Sequence, residues 1–269
     1  MKPCRAILAV LILGVWSPTL WADEPAPLAK ARVLYNASDY EGAIDSASVV
    51  RREVAWADRA ALIIARAHLE QYRLRATTED LVAAREALAS VHSVALTPRD
   101  RVDLVIGLGQ ALYFGEAYGA AAALFDTALD RAALLGARDR LLLLDWWATA
   151  LDREAQTRAA DGRAPLFERL AERMQDVLRL DPGNAAANYW LVVAARGSGD
   201  IDGAWDSAVA AWVRSTLSPD TTKDLRADLD RLMTQALIPE RSRALVARDP
   251  LDALTALRTE WDLVKEQWK

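Results

Sequence analysis

The sequence predicts an all-α protein, and three observations lead to this fold class. Apolar residues recur at three- and four-residue spacing from Leu28 to the end of the chain, which is the spacing of amphipathic helices. No window sustains the alternation of β-branched residues that is typical of strands. Three residue pairs place a capping side chain before a proline and predict a helix start there: Thr97-Pro98, Ser218-Pro219 and Asp249-Pro250.

The composition is that of a folded protein with a substantial core. The chain has 269 residues, of which 52% are hydrophobic and 26% are charged, so a disordered or low-complexity chain is excluded. Its formal net charge is -5. Binding to nucleic acid requires a cationic surface that neutralises phosphates, so we expect no nucleic-acid partner.

Residues 1–22 have the pattern of a secretory signal. Lys2 and Arg5 precede an uncharged apolar run from Ala6 to Trp16, which is shorter than the roughly 20 residues that span a bilayer. We expect cleavage after Ala22 and no membrane span in the mature chain. The predicted location is the periplasm, or the exterior if the cell has no outer membrane.

Cleavage at this site changes the chemistry that the mature chain can carry. It removes Cys4, the single cysteine, and it lowers the net charge to -7 because residues 1–22 hold two basic residues and no acidic one. Thiol chemistry and internal disulfides are then excluded. The two histidines, His68 and His92, lack a second ligand at metal spacing, and no G-x-S-x-G elbow is present. We therefore predict no enzyme activity, no metal and no cofactor.

Two further segments predict helix boundaries. The segment Asp161 to Pro165 is expected to end one helix and begin another. The segment Asp181 to Asn184 is expected to form a turn whose Asn184 caps the helix from Ala185 to Arg196.

Small and large residues alternate at a repeating spacing along the chain. The clearest example is the set Leu108, Gly109, Leu112, Tyr118, Ala121, Phe125 and Ala128, whose spacing resembles that of the tetratricopeptide repeat. Weaker copies flank it, and their equivalent positions are Ala43, Ala84, Ala121, Leu170 and Ala204. These positions are separated by 41, 37, 49 and 34 residues, against a standard repeat of about 34. The 49-residue interval predicts an unusually long first helix over residues 140–160.

The resemblance implies a right-handed α-solenoid of stacked helix pairs. About five pairs, some of them degenerate, are expected over residues 23–217, and a C-terminal helical cap over residues 218–269. The last helix is predicted to cover the final repeat with one apolar stripe and to face water with its charged side. That stripe consists of Leu251, Leu254, Leu257, Trp261, Val264 and Trp268.

The resemblance also implies a concave binding face, lined by the first helix of each pair. An arginine, amide and tyrosine lining suits an extended peptide or a carboxylate end. The candidate binding residues on this face are Arg32, Tyr35, Arg66, Gln110, Tyr113, Trp147, Tyr189 and Arg196.

Three functions are compatible with these patterns. The first is a non-catalytic binding or scaffolding protein with a protein or peptide partner in a cell-envelope assembly. The second is a solute-binding accessory component of a periplasmic transporter, with an aromatic-lined pocket for a small organic solute. Adjacent Trp146 and Trp147 cannot both face inward, so one of them is free to line such a pocket or groove. The third is an α-helical cell-wall hydrolase with a carboxyl group as acid catalyst.

Overall fold

The structure is a computed structural model that describes residues 24–245 and 250–269. The predicted signal over residues 1–22, its cleavage site, Cys4 and the capping residue Asp249 lie outside the described residues. Regular structure within the described ranges is entirely helical, with no strand, so the predicted all-α class is confirmed. None of the described helices has both the length and the apolar composition needed to cross a membrane.

The chain divides into two compact units, residues 1–147 and 148–269. In the first unit α1 packs on α2, α3 on α4 and α5 on α6, while α3 also contacts α1 and α5. The described helices that lie in or enter this unit are α1 (Ala26–Asn36), α2 (Tyr40–Ser48), α3 (Ala57–Arg75), α4 (Thr78–Ala89), α5 (Pro98–Phe114), α6 (Tyr118–Leu129) and α7 (Ala137–Thr157).

The turns inside successive helix pairs share one backbone conformation. Ser38, Ala76 and Glu116 follow α1, α3 and α5, and all three have positive φ values, of 64°, 54° and 63°. A left-handed residue at this position lets the next amides bond back to the last carbonyls of the helix. Accordingly, the N–H of Asp39 donates to Leu34 at 2.9 Å, and the equivalent bond after α5 measures 3.0 Å. After α3 the N–H of Ala76 donates to the Tyr72 carbonyl at 2.7 Å, so each of the three turns is closed by a hydrogen bond to the preceding helix.

Small residues bring the paired helices close together, as the spacing predicted. A Cβ atom on Gly109 of α5 would lie 2.6 Å from Cε1 of Phe125 on α6, so the ring packs directly on the backbone of α5. Ala121 is fully buried on the same helix as Phe125. The core of this unit continues through α3 and α4, where Leu69, Ala84 and other apolar side chains are buried in one cluster.

The second unit contains the end of α7 and six further α-helices. Here α9 packs on both α8 and α10, and α13 packs on α12. These helices are α8 (Ala160–Leu180), α9 (Ala185–Ser198), α10 (Ile201–Arg214), α11 (Pro219–Leu232), α12 (Ile238–Ala244) and α13 (Pro250–Gln267). A π-helical turn, Met233–Leu237, joins α11 to α12. It precedes Pro239, which has no N–H to continue an α-helical ladder.

The turn between α9 and α10 repeats the design found in the first unit. Gly199 has a φ of 88°, and Asp200 N–H donates to the Ala195 carbonyl at 3.0 Å. The Asp200 carboxylate then accepts from the N–H of Gly203 at 2.9 Å and caps α10. After α1, Asp39 and Gly42 make the same capping bond, at 3.0 Å.

Most predicted helix boundaries agree with the structure, and one is wrong. Thr97 caps α5 and Asn184 caps α9 through bonds to the third amide beyond each. The long first helix predicted over residues 140–160 is the 21-residue α7. The boundary predicted within the segment Asp161 to Pro165 is wrong, because this whole segment belongs to the first turns of α8. The helix begins before the segment, at Ala160. Pro165 lies inside α8, where it has no N–H to donate to the Asp161 carbonyl one turn earlier.

The last helix buries only part of its predicted stripe. Leu257 and Trp261 are buried against α10 to α12, and Leu254 and Val264 pack beside them. Leu251 and Trp268, at the two ends of α13, are 73% and 45% exposed. The stripe was therefore right for the two central turns and wrong for the ends, where none of the described helices covers the side chain.

Candidate functional site

One surface of the first unit gathers most of the predicted binding residues. It is formed by α1, α3, α5 and the first half of α7, and we call it the odd-helix face. Along α5 its residues recur at four- and three-residue steps, which places them on one side of the helix. The odd-helix face carries Arg32, Tyr35, Arg59, Arg66, Glu70, Arg73, Arg99, Asp100, Asp103, Gln110, Tyr113, Asp139 and Trp146.

Ion pairs connect the helices of this face near their N-termini. The Arg59 Nε lies 3.3 Å from Asp100 Oδ2 and so links α3 to α5. Arg99 bridges α5 and α7, because its Nε donates to Asp103 at 3.2 Å and its Nη2 donates to Asp139 at 2.7 Å. These contacts join helix starts to helix starts, so the three helices run in the same direction along the face.

The carboxylates of this network lie beneath the arginines. Asp100 and Asp103 have almost no exposed side-chain surface, whereas the arginines that pair with them keep about a fifth to a quarter of theirs exposed. Water therefore meets guanidinium groups, and the carboxylates hold these groups in place. Within α3, Arg73 Nε donates to Glu70 at 2.8 Å and continues the same pattern.

The first helix contributes Arg32 and Tyr35. Arg32 Nε donates to Glu24 at 2.9 Å, and burial lowers the pKa of Arg32 below its ordinary value. The ring of Tyr35 lies beneath the Arg66 guanidinium, whose Cζ is 4.9 Å from the ring centroid. Burial raises the pKa of Tyr35 well above its ordinary value, so its phenol remains protonated at neutral pH.

Aromatic rings occupy the other end of the odd-helix face. The ring centroid of Tyr113 lies 5.1 Å from that of Trp146 and 5.2 Å from that of Tyr118, and both pairs meet edge to face. Phe114 touches the same tryptophan at 5.7 Å and Tyr72 of α3 at 4.9 Å. All five rings are half-buried rather than enclosed, so together they present an aromatic surface to solvent.

Several polar groups of this face have no hydrogen-bond partner among the described residues. Gln110 is only 6% exposed, yet its amide makes no hydrogen bond within the described ranges. The nearest carboxylate oxygen to Arg66 is that of Asp103, at 3.5 Å, which is too long for a good hydrogen bond. The Tyr113 hydroxyl and the Trp146 indole N–H are likewise unbonded within the part of the chain that the structure describes.

The remaining predicted site residues are placed differently. Trp147 has no exposed surface, while its neighbour Trp146 is half-buried on the odd-helix face. Tyr189 and Arg196 belong to the second unit. Both Nε and Nη2 of Arg196 donate to the Glu240 carboxylate, at 2.7 and 2.6 Å, and these hydrogen bonds raise the pKa of Arg196. A ligand at Arg196 would compete with Glu240.

The tryptophans of the second unit fill space between helices. The ring centroid of Trp261 lies 6.4 Å from that of Trp205 and 5.3 Å from that of Trp212, and both pairs meet edge to face. An arginine lies over each of the two outer rings. Arg241 lies 4.5 Å from the Trp205 ring, and Arg226 lies 4.7 Å from the Trp212 ring. Such a stack acts as packing rather than as the wall of a pocket.

Eight of the thirteen residues of the odd-helix face were not among the predicted binding residues. Arg59 and Asp139 precede Arg66 and Trp146 by seven residues each, so the helical spacing already indicated a shared side. Arg99 lies four residues before Asp103 on α5, which also places these two residues on one side of that helix. The periodicity of each helix indicates which of its residues share a side. Placing those sides on one common face also requires the direction of each helix, which the periodicity does not give.

The chemistry that this arrangement supports is non-covalent binding. Guanidinium groups, an amide and aromatic rings can hold an extended segment by hydrogen bonds and stacking. Among the described residues no group of three histidine, aspartate or glutamate side chains is placed to hold a metal ion.

Comparisons of the chain with protein-family models, with curated proteins and with solved structures find no match.

Proposed function

We propose that this protein is an exported, non-catalytic binding module that docks an extended segment of another protein on its odd-helix face. The proposal includes a tetratricopeptide-like architecture and a place in a cell-envelope assembly. The observation that carries it is the odd-helix face itself, where four helices present guanidinium, amide and aromatic groups side by side.

The helix pairs support the repeat architecture. The equivalent positions Ala43, Ala84, Ala121, Leu170 and Ala204 are all fully buried. Three of the pairs also share a left-handed turn with a bond from the next amide back to the helix, and one of these lies in the second unit. Equal burial and equal turns at matched positions are expected when one supersecondary unit is repeated.

Export is proposed from the sequence of residues 1–22. A basic start followed by a short apolar run is the pattern that secretion machinery reads. Cell fractionation tests it: the mature protein should lack residues 1–22 by mass spectrometry and should be recovered with envelope proteins.

Site-specific photo-crosslinking tests the docking proposal in the native host. A photoreactive benzoylphenylalanine at Tyr113 should give adducts with another polypeptide, because Tyr113 lies on the odd-helix face. The matched control is the same residue at Thr127, which is exposed on α6. We expect no adduct from position 127.

Two outcomes would overturn the proposal. Adducts of similar yield from both positions would show that the odd-helix face has no special role. Absence of any polypeptide adduct at position 113, together with a thermal shift caused by a small organic solute, would favour the solute-binding alternative.

A further inference from the structure

The odd-helix face holds a row of polar groups that make no short hydrogen bond within the described residues, although one of them, Arg66, is paired with Asp103 at 3.5 Å. The row crosses three neighbouring helices and consists of the Arg66 guanidinium, the Gln110 amide, the Tyr113 hydroxyl and the Trp146 indole N–H. Gln110 is more than nine-tenths buried. The Gln110 amide is not among the buried side-chain atoms that lack a hydrogen-bond partner in the described residues, so water reaches it. A molecule that covers it must replace the hydrogen bonds of that water, and a peptide main chain can do so.

Charge decides which kind of molecule this row can accept. The ion pairs of the face join five arginines to five carboxylates: Arg32, Arg59, Arg66, Arg73 and Arg99 with Glu24, Glu70, Asp100, Asp103 and Asp139. The local charge is therefore balanced. An anionic ligand would be attracted by one arginine but repelled by the carboxylate beneath that arginine. A neutral group that both donates and accepts hydrogen bonds meets no such repulsion.

We infer that Arg66 and Gln110 bind the uncharged main chain of an extended peptide, and that Tyr113 and Trp146 bind one of its apolar side chains. In this arrangement Arg66 donates to a peptide carbonyl oxygen. Gln110 accepts from a peptide N–H and donates to a carbonyl oxygen. This inference rests on the proposed function and names its ligand class, which is a neutral peptide segment and not the carboxylate end of a chain.

The dimensions of α5 fit such a ligand. Asp103, which lies beside Arg66, and Tyr113 are ten residues apart on one helix, or about 15 Å at 1.5 Å per residue. An extended chain rises about 3.3 Å per residue, so about four or five peptide residues cover this distance. Gln110 lies between the two ends, about 4.5 Å from Tyr113 along the helix, so it would meet the segment nearer the Tyr113 end.

Selection of peptides by the purified protein tests the inference directly. The probe is a phage-displayed library of random twelve-residue peptides, and affinities of the enriched peptides are measured by fluorescence anisotropy. We expect apolar or aromatic residues to be enriched and Asp and Glu not to be. Affinity should change less than about twofold between 50 and 500 mM NaCl, because screening weakens only charge-dependent binding.

Variants and modified peptides identify the main-chain contacts. Gln110→Met keeps the side-chain volume and removes both hydrogen-bonding groups, so we expect a loss of affinity of about tenfold or more. Methylation of one amide nitrogen of the peptide should cause a similar loss at one or two positions only. The matched controls change two exposed residues outside the row, and they are Gln175→Met on α8 and Arg101→Met on α5. Both should bind like the native protein.

The possible failures are distinct. Enrichment of acidic peptides, with affinity that falls steeply in salt and is unaffected by Gln110→Met, overturns the main-chain inference but leaves a peptide-binding function in place. Enrichment of no peptide by the folded protein overturns both. If Gln110→Met lowers the melting temperature, the N-methylated peptides on the native protein still decide the question.

Discussion

The ring of Phe125 packs on the bare backbone of Gly109, and this contact sets how closely α5 and α6 approach. A Cβ atom at position 109 would overlap the ring edge, at 2.6 Å from Cε1 and 2.9 Å from Cδ1. Phe125 has no exposed surface into which its ring could move. The pair therefore behaves as a fitted unit in which neither residue can grow.

Gly109→Ala should consequently destabilise the protein. Overpacking in a core costs about 1–3 kcal/mol, which outweighs the gain in helix propensity of about 1 kcal/mol. Gly162→Ala is the matched control, because a Cβ there meets only ordinary contacts in α8. Urea unfolding should show a lower midpoint for the first variant and an equal or higher midpoint for the second. An equal rise of the urea midpoint in both variants would contradict the close packing of Gly109 against Phe125.

Ala76→Gly should stabilise the protein. Residue 76 ends α3 with a φ of 54°, a conformation that costs a residue with a Cβ about 1–2 kcal/mol and costs glycine little. After the greater flexibility of glycine in the unfolded chain is subtracted, we expect a gain of about 0.5–1 kcal/mol. The control is Ala123→Gly on the exposed side of α6, which should lose about 1 kcal/mol. Thermal unfolding of both variants measures the difference.

Trp261→Ala and Trp268→Ala should differ strongly in their effect on stability, although Trp261 lies in α13 and Trp268 directly follows this helix. Trp261 is 1% exposed and is stacked between two other tryptophans, so its removal should cost about 3–5 kcal/mol. Trp268 is half-exposed, and the bond that it accepts from Trp212 involves its main-chain carbonyl. Its replacement should therefore cost less than about 1 kcal/mol. Guanidinium unfolding monitored by circular dichroism distinguishes the two, and equal losses would contradict the packing of α13.

Asp230 should make stability depend on pH in the acid range. Burial opposes its charge, but hydrogen bonds from Lys265 and Trp261, both at 2.8 Å, hold the pKa of Asp230 below its ordinary value of 3.8. A carboxyl group whose pKa is depressed by folding stabilises the native state above the unfolded pKa, and this stabilisation disappears as pH falls through the folded value.

Asp230→Asn measures this contribution. The native protein should be more stable than the variant at pH 6, and the difference should shrink as the pH falls from about 4 to 2, since both side chains are then uncharged. Because the side chain is partly exposed, the difference at pH 6 should be below about 1 kcal/mol. A difference that is constant with pH would show that the carboxylate is not stabilised by folding.

Local signals predicted local structure well. Thr97 and Asn184 cap their helices as expected because a capping bond spans only three residues. The boundary near Pro165 was misplaced because this proline lies inside α8, although a proline at such a position usually ends or kinks a helix. Burial of Leu251 and Trp268 was overpredicted, since periodicity identifies the side of a helix but not how far its neighbour extends.

The candidate site was predictable only in part, for a physical reason. Arg66, Gln110 and Tyr113, three of the predicted residues, lie on one face of the first unit, and their role in binding stays a prediction. Whether an arginine is already paired depends on residues distant in the chain, as with Arg196 and Glu240, which are 44 residues apart. The choice between Trp146 and Trp147 likewise depends on which side of α7 meets its neighbours.

The left-handed turns have a consequence for how such a chain can evolve. Each turn closes within a few residues, by bonds to its own helix and, in two cases, by an aspartate cap on the next helix. A helix can therefore gain or lose residues at its far end without altering the reversal that follows it. The intervals between the buried residues Ala43, Ala84, Ala121, Leu170 and Ala204 can therefore differ, from 34 to 49 residues, without a change in the turns.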